Sequence, residues 1–209
     1  MNHKTRDQRV YLIDDDEAVR DAMSMLLSSA DYAFQCFASA EDFLQHHDAS
    51  WRGCLILDIR MPGMSGLELQ KRLLKTGSTL PIIFITGHGD VPMAVEAMRR
   101  GAIDFLRKPI SETDLLNRIQ QALEHESDLI KQMKSRKLSM ARIETLTQRE
   151  KQIFKQVAEG QANKAIAIDF GISERTVEVH RSQVMKKLEA KTLAQLVRIH
   201  IDLEHFEQH

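Results

Sequence analysis

Short apolar runs recur through the first half of the chain, each closed by a polar residue: Val10-Tyr11-Leu12-Ile13 before Asp14, Cys54-Leu55-Ile56-Leu57 before Asp58, and Pro81-Ile82-Ile83-Phe84-Ile85 before Thr86. Uninterrupted apolar runs of this length fit strands buried on both faces, as parallel strands under helical crossovers are. Between them the apolar positions step by threes and fours, which is the spacing of one helix face. The pattern predicts strands near 10–14, 33–37, 53–58, 81–86 and 103–107. It predicts helices near 17–29, 39–47, 65–75 and 91–100, with a fifth opening at Ser111. Gly53, Pro62-Gly63, Gly66, Gly77, Gly87, Gly89 and Gly101 fall at the joints, where turns need them. The fold class that follows is α/β, a five-stranded, doubly wound parallel sheet.

The second half reads differently. Leu116, Ile119, Leu123, Ile130, Met133 and Met140 keep heptad spacing, with Glu126 and Lys137 filling the remaining seam positions. No Pro or Gly occurs between Ser111 and Thr147, so the fifth helix is expected to continue as a helical linker with a seam available to a partner chain, the alternative being a solvated charged tether. Thr147-Gln148-Arg149-Glu150 is a capping box, in which the hydroxyl and the carboxylate satisfy each other's backbone donors at a helix start. An all-α unit of four helices begins there, near 148–158, 164–170, 174–188 and 192–205. The organisation expected is a unit over 1–124, a helical linker over 125–145 and a helical unit over 146–209.

Chemistry collects at the strand ends. In an open parallel sheet, ligands bind outside the carboxyl ends of the strands. Asp14 and Asp15 close the first strand, Asp58 the third and Thr86 the fourth, and Lys108-Pro109 follows the fifth. Carboxylates, a cation, a hydroxyl and an ammonium in one crevice are the apparatus for phosphoryl transfer to an aspartate. Taken singly, each has a structural reading: acids cap helices, as expected of Asp16 and Glu17, and Phe105 is an ordinary core residue. Four strand ends in the right order favour the functional one.

The segment from Asn163 to Phe170, the turn Gly171-Ile172 and Ser173 as an N-cap give helix, tight turn and helix in the spacing of a helix-turn-helix. Val177, Val184 and Leu188 share one face of the second helix and are expected to pack on Ile166, Ala167 and Phe170. Opposite them, Arg175, Val179, Ser182 and Lys186 line up toward a major groove. Arg175 and Lys186 suit phosphates, Ser182 a base edge, and Val179 an apolar contact such as a thymine methyl. Glu178 can accept from cytosine, and Asn163, Lys164 and Arg181 can hold the backbone.

These residues carry a resemblance. Residues 9–110, with their acidic strand ends and the stretch from Thr86 to Met98, resemble the receiver domain of two-component response regulators, closest to the FixJ branch. The last part, with Thr176-Val177-Glu178-Val179-His180 the nearest match, resembles the LuxR-type helix-turn-helix of the same NarL/FixJ family. The resemblance implies a flavodoxin- and CheY-like receiver in which Asp58 accepts a phosphoryl group from a sensor histidine kinase. It implies Mg²⁺ held by Asp15, by Asp14 through water, by Asp58 and by the backbone carbonyl of Arg60. It implies that Lys108, aimed by a cis bond to Pro109, pairs with phosphoryl oxygens, and that Thr86 and Phe105 move together as a switch. Val95 and Met98, near Val91 and Arg99, are expected to become on phosphorylation either a dimer face or a released docking surface for the DNA-binding unit. Leu193, Leu196, Val197 and His200 are expected to form the dimerising stripe of the last helix. Thr176 joins the DNA contacts by the same resemblance. Ile110 departs from the family, which usually has phenylalanine there.

Composition narrows the class without deciding it. A length of 209 residues suits two modest domains, and a net charge of −1 argues neither for nor against nucleic acid. The two cysteines, Cys36 and Cys54, fall inside predicted strands, so they read as buried thiols of a reducing compartment. No apolar run approaches the ~20 residues of a membrane span, so a soluble, cytoplasmic protein is expected. The reading is a phosphorylation-switched transcription regulator that binds double-stranded DNA, dimerises when phosphorylated and, if an activator, meets RNA polymerase. It is not expected to be an enzyme. Two alternatives stand beside it. One is an aspartate-nucleophile phosphohydrolase, which would carry a second acid where this chain has Arg60. The other is a sigma-factor-like DNA binder without phosphorylation control.

Overall fold

A computed structural model describes residues 7–87 and 91–207, and the chain divides into two compact units between Ile130 and Lys131. His88, Gly89 and Asp90, within the stretch that carries the FixJ-like resemblance, lie outside the described residues.

In the first unit, β1 (Arg9–Ile13), α1 (Glu17–Ser29), β2 (Phe34–Phe37), α2 (Ala40–His46) and β3 (Gly53–Asp58) are followed by α3 (Gly66–Lys75), β4 (Ile82–Thr86), α4 (Val91–Arg99), β5 (Asp104–Arg107) and the start of α5 (Glu112–Glu144). All strands are parallel, in the order β2-β1-β3-β4-β5. Alternation along each strand divides the core into two layers. Val10, Leu12, Cys54 and Ile56 point into one layer, where Leu27 of α1 and Leu115, Ile119 and Leu123 of α5 cover them. Tyr11, Ile13, Leu55 and Leu57 point into the other, with Phe43 of α2, Leu69 and Leu73 of α3 and Ala97 of α4. Every residue of β3 is buried, as its unbroken apolar run requires. Ile110 packs on the first layer, so the departure from phenylalanine is accommodated as core. Burial pushes the Cys54 thiol up from its ordinary value, which leaves it an inert core group.

α5 is one helix of 33 residues, as the absence of helix breakers suggested. Its seam is not free along its length. Ile119 and Leu123 are buried against the sheet, and Leu116 packs there too. Glu126, read as a polar interruption of a seam, is 0% exposed and belongs to the interior of the first unit. Arg52 donates to it through Nε and, at 2.9 Å, through Nη2. Gln8 Nε2 donates to it at 2.7 Å and to Ser127 Oγ at 3.1 Å. A helix packing on a sheet and a helix pairing with a helix use the same three-and-four spacing, so the pattern alone could not separate them. Of the seam positions, Met133, Lys137 and Met140 lie beyond the first unit.

The second unit holds α6 (Gln148–Ala158), α7 (Asn163–Phe170), α8 (Glu174–Lys187) and α9 (Leu193–Glu207). The capping box closes in both directions: Thr147 N–H donates to Glu150 Oε2 at 2.7 Å, and Glu150 N–H to Thr147 Oγ1 at 3.2 Å. Val177, Val184 and Leu188 meet Ile166, Ala167 and Phe170 in one core, as their spacing required. The dimerising stripe on α9 needs correction. Leu196 is 0% exposed and lies in that core, on the face that Ile199 and Leu203 continue. The His200 ring packs edge-on against Phe154 at 5.6 Å. The line outside that core is instead Leu193, Val197 and Ile201, at steps of four, with Leu193 and Ile201 exposed and Val197 half-buried. Among the described residues, no helix is long and apolar enough to cross a membrane.

Candidate functional site

The register sets the acids side by side. Ile13 pairs with Leu57, so the residues that follow, Asp14 just past β1 and Asp58 at the end of β3, stand side by side. One carboxylate oxygen each from Asp14, Asp15 and Asp58 lie within 4.8 Å of one another. Asp14 and Asp58 are 2% and 8% exposed, whereas Asp15 stands out toward solvent. Lys108 closes the group from the end of β5: its Nζ is 2.7 Å from Asp14 Oδ2 and 3.0 Å from Asp58 Oδ2. The Lys108–Pro109 peptide is cis, as expected.

Backbone donors fix the remaining oxygens. Asp16 N–H donates to Asp14 Oδ1 at 3.0 Å, and Arg60 N–H to Asp58 Oδ1 at 3.1 Å. Gly66, the first residue of α3, sits against the end of β3, where a Cβ would come 2.3 Å from the Asp58 carbonyl oxygen. Asp16 takes the helix-capping role expected of it, accepting from Ala18 N–H at 2.9 Å. Arg20 went unremarked in the sequence. Its Nη1 donates to the carbonyls of Asp14 and Asp15 at 2.8 and 2.9 Å, holding the acidic loop from one turn inside α1. The available signal was an arginine close behind an acidic run.

Burial pushes the Asp14 carboxyl up from the ordinary range, against the hydrogen bond from Lys108. Burial draws the Lys108 ammonium down, but its bonds to Asp14 and Asp58 outweigh this and the net shift is upward. The two differ for a physical reason: the ammonium faces two carboxylates, while Asp14 faces one ammonium and the like charge of Asp58. Three carboxylates against one ammonium leave the group short of positive charge. Hard, clustered oxygens in that state suit a small divalent cation such as Mg²⁺. Thr86, 2% exposed, ends β4, and Lys108 N–H donates to its carbonyl at 2.7 Å. Phe105 pairs with Phe84 in the ladder and lies half-buried against the second layer. The structure thus brings Asp14, Asp15, Asp58 and Lys108 together and sets Thr86 at the neighbouring strand end.

The helical unit presents a second candidate. Ser173 caps α8, its hydroxyl accepting from Thr176 N–H at 3.1 Å and lying 2.8 Å from Thr176 Oγ1, so that threonine is engaged in the cap. Arg175 and Val179 stand out, the latter 50% exposed, and Ser182 and Lys186 are exposed with them. Glu178 pairs with Arg175 at 3.3 Å. Asn163 and Arg181, read as separate backbone contacts, are joined: Arg181 Nη1 donates to Asn163 Oδ1 at 3.0 Å. Lys164 is exposed nearby in sequence. Arg149 was missed. Its guanidinium lies 4.2 Å over the Phe170 ring and donates to the Phe170 carbonyl at 3.1 Å, fixing the end of α7 before the turn.

The model of the response regulator receiver domain matches residues 10–120, and that of the bacterial regulatory proteins of the luxR family matches residues 144–200. The response regulator protein TodT of Pseudomonas putida is 44% identical over 194 residues, 91% of this chain and 84% of TodT. The transcriptional regulatory protein FixJ of Rhizobium meliloti is 44% identical over 193 residues, 92% of this chain and 95% of FixJ. The solved structure of the response regulator StyR covers 92% of this chain and 98% of its own, at 42% identity and a TM-score of 0.78. Full-length FixJ from B. japonicum covers 95% and 98%, at 41% identity and a TM-score of 0.60.

The chain belongs to the NarL/FixJ family of response regulators. Its first unit is a receiver and its second a LuxR-type DNA-binding domain, so it is a transcription regulator of a two-component system switched by phosphorylation. The sigma-factor-like reading, which lacked phosphorylation control, falls with the receiver match.

Proposed function

We propose that Asp58 is the phosphoacceptor of this response regulator and that a partner sensor histidine kinase supplies the group. The observation that carries this is the Lys108 ammonium held between Asp14 and Asp58, at the carboxyl end of the central strand. An Asp58 oxygen forms the new P–O bond as the P–N bond of the donor phosphohistidine breaks, and the imidazole nitrogen keeps the electron pair. Asp14, Asp15, Asp58 and the Arg60 carbonyl would hold Mg²⁺, which neutralises phosphoryl and carboxylate charge when bound. Lys108 then pairs with a phosphoryl oxygen as a point charge. Thr86 and Phe105 carry the change toward α4, where Val95 and Met98, each 44% exposed, supply a dimer face.

In the DNA-binding domain, Arg175 and Lys186 hold phosphates, Val179, Ser182 and Glu178 face base edges, and Asn163, Lys164 and Arg181 support the backbone contacts. Leu193, Val197 and Ile201 form the outer line of α9 on which two such domains pair. A dimer reads half-sites about one helical turn apart and, at a promoter it activates, meets RNA polymerase. The chain does not turn over phosphate esters, because Arg60 stands where a hydrolase of the aspartate type needs its second acid.

Incubation with Mg²⁺ and acetyl phosphate should add one phosphoryl group, and Asp58→Asn should abolish the labelling. Equal labelling of the Asn variant would place the acceptor elsewhere.

A further inference from the structure

The loop between β3 and α3, residues 59–65, carries the Arg60 carbonyl assigned above to the cation. Its near end is tied to the site itself, through Arg60 N–H on Asp58 Oδ1 at 3.1 Å and Ile59 N–H on the Ile85 carbonyl at 3.3 Å. Its far half is tied by a side chain from another element. Glu41, in the first turn of α2, accepts from Met64 N–H through Oε1 at 2.8 Å. The same oxygen lies 2.7 Å from where a Cβ on Gly63 would stand, and Gly63 has φ +75°, so the loop wraps closely on the carboxylate at a residue that must be glycine. Met61 and Met64, each 8% exposed, seat the loop on the core beneath. Among the described residues Glu41 forms no ion pair, so its bond to the loop is not shared with a cation.

A loop that is free must be ordered when it supplies a ligand, and ordering costs affinity; a loop already held does not incur that cost. We infer that Glu41 is a positioning residue for the receiver's cation site: by holding the 59–65 loop at Met64 it sets the affinity for Mg²⁺. The role is that of an acceptor at a fixed reach, not of a negative charge. This inference rests on the cation site proposed above. Groups that orient metal ligands from behind typically change metal affinity by ~10–100-fold, and about tenfold is expected here.

The test is calorimetric titration of Mg²⁺ alone into the full chain and four variants. Glu41→Gln keeps an oxygen at the same reach and should bind like the parent. Glu41→Asp keeps the charge but is one methylene short, and should bind about tenfold more weakly, as should Glu41→Ala. Melting of the metal-free Glu41 variants in EDTA should match the parent. Weaker binding by Glu41→Gln than by Glu41→Asp would overturn the inference, because charge and not reach would then matter. A fall in metal-free melting that parallels the loss of affinity would overturn it too, by making the residue a general brace. Asp15→Asn separates this idea from the site it rests on. If that variant binds Mg²⁺ like the parent, the cation site is wrong; if it loses binding while Glu41→Ala does not, only the Glu41 inference fails.

Discussion

Glu150 shows how much one side chain settles. It closes the capping box with Thr147, and its Oε2 takes the Lys187 ammonium at 2.6 Å, joining the start of α6 to the end of α8. The Lys187 hydrogen bond, followed by that from Thr147 N–H, holds its carboxyl below the ordinary range. A depressed carboxyl contributes stability that is present above its unfolded value and is lost as pH falls through its folded one. Glu150→Gln should therefore lower the stability of the DNA-binding domain by about 1 kcal/mol at neutral pH, the scale of a lost cap. The gap to the parent should close as pH drops below the ordinary carboxylate range. Calorimetric unfolding over that range measures it; a gap that persists in acid would mean that ionisation plays no part. The box was legible because Thr-x-x-Glu is a local pattern. The Lys187 partner was not, since nothing local ties position 150 to position 187. Glu126 failed for the same reason: only the fold reveals Arg52 and Gln8 around it.

Elements were read better than their faces. Strand ends moved by about a residue, because the last residue before a turn donates to the ladder or to a loop on small differences. Asp14 is one such residue, an expected strand end that lies just past β1 and gives its N–H to the Phe37 carbonyl at 3.4 Å. On α9 two faces were merged: Leu196 belongs to the core line with Ile199 and Leu203, while Leu193 and Ile201 are exposed, with the half-buried Val197 between them. Neighbouring positions on a helix that is apolar on two sides do not say which side is covered. α8 carried a clearer signal, because an exposed Val179 among polar neighbours has few structural reasons. Lys186→Ala should weaken binding about equally across DNA sequences and lower the salt slope by roughly one phosphate contact. Val179→Ala should change preference at one base pair. Binding measured against a panel of single-base variants separates them, and a uniform loss from both would show that Val179 reads no base.

At the scale of the molecule, the receiver and the DNA-binding domain matter to each other only if phosphorylation changes a population. Near-complete switching needs a differential affinity of ~10⁴-fold between the two states, which a new dimer contact and a cooperative DNA site can share. The candidate surfaces are the α4 face with Val95 and Met98 and the outer line of α9, neither buried within its own unit. Acids at two strand ends, a threonine and a lysine made the receiver legible without the fold, since their chemistry has to converge. The dimer surfaces were less legible, because exposure cannot be read from spacing. The most direct measurement is the affinity for a DNA selected from a random pool by the phosphorylated protein. It should be compared with and without acetyl phosphate and Mg²⁺, at equal concentrations of the parent and of Asp58→Asn, with sedimentation of the same samples. The parent should bind more tightly and sediment as a larger species after treatment, and Asp58→Asn should do neither. Equal affinity and equal mass for both proteins under both conditions would contradict a phosphorylation switch at Asp58.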